Sequence, residues 1–406
     1  MRRKKRKIRI KIKSVIILLL IIMSLLFCIS YLISKINSDK STYDDKTVED
    51  TYNEIPLSYE TSLVMVGDAL IHDSLYNDAK DGNSYNFYKY LSYIKEYVSD
   101  YDIAYYNQET ILGGTSIGLS SYPSFNSPQE LGDAMIDAGF NLVSLATNHT
   151  LDRGTNAVKL SRQYWNKQEG VHAVGSYSSF DEKQEIESKI LESNGITYSV
   201  LNYTYGTNGI QVPSGKDYLV NLWDDTNNFE GYKKKVKSDI DNIRDKVDVL
   251  IVAMHWGREY THNPIDIQKK TAKYLASLGV DLIIGTHPHV IQPVEYIDDT
   301  LVFYSLGNFI SAQKSESCSN YKCFIGLMSS LKIKKEIIND ETVITFDNIN
   351  NELIYTYHNN YKDYLVIPFS NKDIKKYLPD YKNVYNKYVS YIATDDDRIK
   401  INSVVK

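Results

Sequence analysis

Cysteine is scarce in this chain: three residues in 406, at positions 28, 318 and 323. The last two lie in "CSNYKC", which does not resemble a structural zinc site, since such a site takes four ligands. The spacing suits a small loop closed by a disulfide, which persists outside the cell; two free thiols are the other reading. Histidine is also sparse, at eight, so where it falls carries information. Acid is missing from the first thirteen residues, "MRRKKRKIRIKIK", which hold nine bases. Charge of either sign is missing from the next twenty, "SVIILLLIIMSLLFCISYLI". That run has the length of a bilayer-crossing helix, about 20 residues, and exceeds the roughly 7–15 of a cleaved signal core. It lacks a small-residue cleavage site, and Phe27 is too bulky before Cys28 for lipoprotein processing. Basic flanks stay cytoplasmic. The expectation is therefore a basic cytoplasmic tail over 1–13 and a single uncleaved anchor over 14–34. A linker over 35–60 and an extracytoplasmic main domain follow, which places the protein at the cell membrane.

Positive charge is short in the remainder. The whole chain carries −5, and setting aside the nine bases of the tail leaves −14. So acidic a domain is excluded as a nucleic-acid binder, which needs clustered Lys and Arg against phosphate. It would also repel a polyanionic polymer, except where a metal or a local basic pocket reverses the field. Internal repeats of fixed period are absent. Tyrosine is abundant, at 35 residues, but spread along the chain, which is compositional bias rather than a sugar-binding stripe.

From Ser62 onward, short apolar runs ("SLVMVG", "DIAYYN", "NLVSLAT", "VDVLIVAMHW", "VDLIIGT") alternate with amphipathic stretches. In "IDIQKKTAKYLASLG" the apolar residues Ala272, Leu275, Ala276 and Leu278 share a helix face and Gly279 is the stop. Strand then helix, repeated, predicts an α/β domain over 61–330. Residues 331–406 read as antiparallel strands completing a second sheet or an edge, with a helix near 371–393 and a loose final ten residues.

In open α/β sheets, ligands gather beyond the carboxyl ends of the strands. There the apolar runs deliver Asp68 and His72, Asn107 and Glu109, Asn148 and His149 with Asp152, His255, then His287 and His289 of "GTHPHV", and lastly Asn308. Neutral imidazole, carboxylate and amide oxygen suit Zn, Mn, Fe or Ni. Two such ions about 3.5–4 Å apart need a bridging carboxylate and several terminal ligands. Asp68, Glu109, Asn148, His255, His287 and His289 supply that set. His72 stays open as a ligand, a partner behind the ligands, or the first turn of a helix. His172, His262 and His358 lack such a setting and read as surface or packing residues.

The stretches "VGDALIHDSLY", "NQETIL", "YPSFNSP", "LATNHTLDRG", "MHWGREY" with Pro264 and Gln268, "GTHPHVIQP" and "YSLGNFI" run from about Val66 to Ile310. In that order they resemble the CapA-type capsule-biosynthesis proteins, which are similar to calcineurin-like metallophosphoesterases. The resemblance implies a four-layer αββα sandwich with the metal centre where the strands end. It implies that Asp68 opens the site, that Glu109 is the bridging carboxylate, that Asn148 coordinates, and that His149 donates a proton or orients the reacting group. Two positions depart from the pattern. Leu70 stands where a histidine is expected two residues after the first aspartate, and Thr147 replaces the first asparagine of an Asn-Asn-His run.

Three functions are compatible with that site. The first is a metal-assisted hydrolase or transferase, with His149 and Asp152 managing protons and Arg258 meeting an anionic substrate. Its substrate would be an envelope polymer of the poly-γ-glutamate type or a precursor of one. The second is an anchored, non-enzymatic accessory subunit that works beside the polymer-synthase subunits. The third is a general extracytoplasmic phosphoesterase.

Overall fold

The computed structural model describes residues 57–223, 229–314, 318–319 and 321–405, together with 23–26, 28–31 and 35 of the N-terminal segment. The chain divides into two units, Met1–Ile55 and Pro56–Lys406. The expected anchor over 14–34 lies for the most part outside the described residues, and among the described residues no helix is long and apolar enough to cross a membrane. The second unit holds every candidate site residue.

Its strands run in chain order as β1 (Leu57–Leu70), a small hairpin β2 (Lys80–Asp81) and β3 (Ser84–Tyr85), then β4 (Ile103–Asn107), β5 (Leu142–Ser144) and β6 (His172–Val174). There follow β7 (Leu191–Ser193), β8 (Ile196–Thr204), β9 (Val249–His255), β10 (Leu282–Thr286), β11 (Val294–Ile297) and β12 (Thr300–Phe303), and last β13 (Asn308–Ser311), β14 (Ile325–Ile338), β15 (Glu341–Tyr357), β16 (Leu365–Pro368) and β17 (Ile399–Ile401). The first sheet has the order β16-β15-β14-β1-β4-β5-β6, with β13 beside β1 and β17 beside β15; the second is β11-β12-β10-β9-β8-β7. The chain thus builds one half of the first sheet, then the whole second sheet, then returns to finish the first.

Alternation along the strands decides the layers. Leu63 and Met65 of β1 and Ile103 and Tyr105 of β4 face Ile251 of β9 and Ile284 of β10 in one core between the sheets. The opposite faces are equally apolar. Val64, Val66, Ala104 and Tyr106 pack under Ile94, Leu131 and Met135 of the helices Ser92–Val98 and Glu130–Asp137. Leu250, Val252 and Ile283 pack under Ile240 and Leu275 of the helices Phe229–Asp241 and Asp266–Ala276. The result is helices, sheet, sheet, helices, as a chain of doubly buried parallel strands requires.

Three differences from the sequence reading have physical causes. β1 begins at Leu57, inside the expected linker, because Leu57–Glu60 pair antiparallel with Lys334–Ile337. The hairpin of β14 and β15 joins the first sheet at the very strand that opens it. The final ten residues are not all loose: Ile399–Ile401 pairs in parallel with Ile349–Asn351 and seats buried Ile399 in the main core. Cys318 and Cys323 form a disulfide.

Gly67 is the tightest fit in the sheet. A Cβ there would lie 1.8 Å from the carbonyl oxygen of Gly307, which itself takes φ +65°. That approach lets the Asp68 amide donate to Gly307 O at 2.9 Å and brings β13 against the end of β1. Gly67→Ala should therefore lower the midpoint of denaturant unfolding by an amount equivalent to about 1–3 kcal/mol, the usual cost of overpacking. An unchanged midpoint would show that the turn at Gly307 yields freely.

Candidate metal centre

Six loops meet at the carboxyl ends of the parallel strands, where the two sheets adjoin. Asp68 lies near the carboxyl end of β1 and is fully buried. Asn107, ending β4, donates to Asp68 Oδ1 at 2.8 Å and accepts from Ser144 Oγ at 2.6 Å, so its amide is locked and the carboxylate with it. Two residues on, Glu109 is also buried. Thr147, the departure from the Asn-Asn-His run, donates its hydroxyl to the Glu109 carbonyl at 2.8 Å and accepts the His149 amide at 3.1 Å. It ties the Glu109 loop to the Asn148–His149 turn.

Both carboxylate oxygens of Glu109 are buried without a hydrogen-bond partner, as is Nδ1 of His287. Such orphans are rare in folded proteins. Glu109 Oε1 lies 3.7 Å from His255 Nε2, and that nitrogen is 2.8 Å from Asn148 Oδ1. Glu109 Oε2 lies 3.7 Å from His289 Nδ1, which is 3.4 Å from Asp68 Oδ2 and 3.1 Å from Asn308 Oδ1. One carboxylate therefore faces two groups of ligand atoms, one through each oxygen. Neighbouring ligands on one ion, at about 2.0–2.2 Å from it, fall near such separations. Glu109, His287 and His289 offer ligand atoms all within 4.8 Å of one another.

The electrostatics point the same way. Burial first, and then the neighbouring imidazoles, hold His255 and His287 well below the usual histidine range, so both rings are neutral and ready to ligate. Burial would also lower His289, but Glu109 and Asp68 outweigh it and raise the ring to about 9. Burial pushes the Glu109 carboxyl well above its usual range, with Asp68 adding to the effect and His289 opposing it. A neutral Glu109 and a His289 charged by an anionic Glu109 are not simultaneous. The direction that stands is that of His289, because both carboxylates press on it: Asp68 and Glu109 draw positive charge toward this pocket.

His287 and His289 adopt φ +94° and +58° on either side of Pro288. Non-glycine residues rarely accept such angles, and they cluster where a site demands an orientation. Here they turn both rings inward, with centroids 5.7 Å apart, and His287 lies tilted against the Tyr205 ring, centroids 4.6 Å apart.

Above this cluster opens a cleft of about 650 Å³ bounded by His72, His149, His289, Glu259, Tyr260 and Lys314, among others. His149 is held by Asp152, whose Oδ2 is 2.7 Å from Nδ1 and also accepts the Phe125 amide at 2.7 Å. A proton on Nδ1 thus points at Asp152, leaving Nε2 as the working nitrogen. His72 lies at the cleft wall just before the helix Asp73–Asp78, with Nδ1 3.1 Å from the Leu70 carbonyl. It is not among the tightly spaced ligand atoms. Arg258 is exposed and does not bound the cleft; its successors Glu259 and Tyr260 do, and the basic side chain there is Lys314. Asn208, in a turn at φ +52°, accepts from Asn148 Nδ2 at 3.2 Å, which leaves Oδ1 of Asn148 facing His255. The Asn-Gly pair at 208–209 marks a turn in the sequence, but nothing in it marks the contact. His262, stacked on Tyr391 at 3.7 Å, and His358, stacked on Tyr361 at 4.5 Å, pack as expected.

The donor set, carboxylates and imidazoles with unpartnered buried atoms, defines a site able to hold a divalent metal ion. A model of the bacterial capsule synthesis protein PGA_cap family matches residues 62–313, more than half of the chain, and the chain belongs to that family. Curated relatives include the PGA biosynthesis protein CapA of Bacillus subtilis, 33% identical over 178 residues, covering 44% of this chain and 44% of that protein. Another is the capsule biosynthesis protein CapA of Bacillus anthracis, 28% identical over 190 residues, covering 46% of this chain and 44% of that protein. The matches thus span under half the length of these relatives. Among solved structures, the NAD nucleotidase NadN of Haemophilus influenzae aligns at 10% identity with a TM-score of 0.39, covering 86% of this chain and 65% of that one. At that score a shared fold does not follow.

Glu109→Ala should lose metal more severely than His72→Ala, because Glu109 faces both ligand groups and His72 stands outside them. Metal per chain after exhaustive dialysis measures this, and equal retention in the two variants would refute it.

Proposed function

We propose that this chain is a membrane-anchored, extracytoplasmic member of its family. In this reading it acts as a metal-dependent hydrolase or transferase on a capsular polymer of the poly-γ-glutamate type, or on a precursor of it. The carrying observation is Glu109: a buried carboxylate with both oxygens free, facing Asn148 and His255 on one side and Asp68 and His289 on the other. That arrangement supports two divalent ions, of Mn, Zn, Fe or Ni, with His287 as a further ligand. When bound, such ions supply Lewis acidity and a water of lowered pKa. His149, oriented by Asp152 at the cleft wall, would pass a proton through Nε2 to the leaving group. Lys314, rather than Arg258, is placed to meet an anionic substrate at the cleft wall. The uncharged run after nine bases, read as an anchor over 14–34, supports an outside location for the domain.

A non-enzymatic role beside polymer-synthase subunits is favoured by one feature. Leu70, at the cleft wall two residues beyond Asp68, brings no ligand atom, and a weakly built position would suit binding better than turnover.

The metal-loaded full chain, offered phosphate esters and poly-γ-glutamate, separates these readings. Turnover should fall about 10²–10⁴-fold in His149→Ala, the usual worth of a positioned proton donor, while metal content stays unchanged. Tight metal binding with no turnover of either substrate would favour the accessory subunit. Brisk hydrolysis of simple phosphate esters alone would favour the general phosphoesterase.

A further inference from the structure

We infer that the side-chain oxygen of Asn308 is itself a metal ligand, completing the Asp68 and His289 side of the centre. The inference rests on the metal-centre reading of the site. β13 lies parallel to β1 with Asn308 the register partner of Asp68, so the two side chains issue side by side from adjacent strands. Asn308 is fully buried. Its amide has one orientation, because Nδ2 donates to two acceptors at once, the Cys323 carbonyl at 2.9 Å and Gln313 Oε1 at 2.8 Å. A backbone carbonyl only accepts, so the flipped amide would set oxygen against oxygen there. Oδ1 is therefore aimed the other way, to 3.1 Å from His289 Nδ1.

The composition of the two sides supports the assignment. The Oε1 side of Glu109 has an imidazole, His255, and an amide oxygen, that of Asn148, 2.8 Å apart. The Oε2 side has an imidazole, His289, and the carboxylate of Asp68, with Asn308 Oδ1 at a comparable separation. Leu70 brings no ligand atom, and the Nδ1 edge of His72 is turned to a backbone carbonyl. With Asn308 each side has a share of Glu109, an imidazole and an amide oxygen. Hard and borderline divalent ions accept amide oxygen. The alternative is that Asn308 only braces the disulfide-closed segment against His289.

Substitution separates ligand from brace. Asn308→Asp keeps an oxygen in place but gives up both Nδ2 donors and sets a carboxylate against the Cys323 carbonyl. Asn308→Leu removes oxygen and donors together. Metal stoichiometry and Mn²⁺ affinity of the full chain are measured by equilibrium dialysis and calorimetry, with circular dichroism to check folding. A ligand predicts that Asn308→Leu loses one of two ions, or holds it at least about tenfold more weakly, the lower end of what losing even an outer partner costs. It also predicts that Asn308→Asp retains both at wild-type affinity or better. The inference fails if Asn308→Leu keeps both ions at unchanged affinity, or if Asn308→Asp weakens binding tenfold or more, as a brace requires. Should Asn308→Leu not fold, the aspartate variant alone decides. A wild-type chain that takes up no divalent metal removes the centre itself, and this ligand with it; a metal-binding wild type with an indifferent Asn308 removes only the ligand.

Discussion

Two carboxylates, Asp68 and Glu109, are withdrawn from water at the ends of adjacent parallel strands, and the rest of the molecule answers to that fact. Taking an ionised carboxylate out of water costs several kcal/mol even after relaxation. Burial also keeps His255 and His287 neutral, so they contribute lone pairs and no compensating charge. Among these rings only His289 is pushed upward, and by the same carboxylates. A domain of net acidic charge would not assemble such a pocket for stability alone, since apolar residues of like volume would serve better. A cation held there would account for the burial, the orphaned oxygens and the two strained histidine backbones together.

Around the cluster, polar residues that are not themselves candidate ligands remove the freedom of the side chains and loops that line the site. Asn107, pinned by Ser144 and through it by the Tyr105 hydroxyl, fixes Asp68. Thr147 fixes Glu109 to the His149 turn, Asn208 fixes the Asn148 amide, and Asp152 fixes the His149 ring. Partners of this kind are worth about 10–100-fold in metal affinity. Such partners at Asp68 and Asn148, and a backbone tether at Glu109, are what a built centre needs and a chance meeting of polar loops lacks. The Thr147 departure is informative here: the hydroxyl is a tether between two loops, a task that a longer amide at that point would perform with different geometry.

Much of this was legible in the sequence because its signals are local. A doubly buried parallel strand is a short apolar run, and the residues directly after it must sit at the carboxyl edge. Asp68, Glu109, Asn148, His255, His287 and His289 could therefore be collected without knowing the strand order. What was not legible depends on contacts between distant segments. Period-two alternation in β14 and β15 says that they pair, not that β14 lands on β1. Ile399 adds a strand because the edge of β15 is free there, which no feature of the last ten residues announces. Arg258 had the right chemistry one position too early: the chain turns after Gly257, and it is Glu259 and Tyr260 that reach the cleft. Asn208 and Lys314 arrive from loops whose sequence shows only turn-forming or polar character.

The order in which the chain builds its sheets gives the centre a structural role of its own. Asp68, Glu109 and Asn148 lie on or just after strands of the first sheet, whereas His255, His287 and His289 lie on or just after strands of the second, and Asn308 opens the return to the first. No segment shorter than about Asp68 to Asn308 contains the whole set. An ion held there joins the ends of both sheets, and its binding energy is also energy for closing them on one another, since an unfolded chain offers no such site. The apolar core between the sheets brings the loops near; an ion bound there would select, among nearby arrangements, the one in which six strand ends agree. On this view the positive φ of His287 and His289 is tolerated because the bound state offsets it, and the centre is as much a keystone of the two-sheet fold as a place for chemistry.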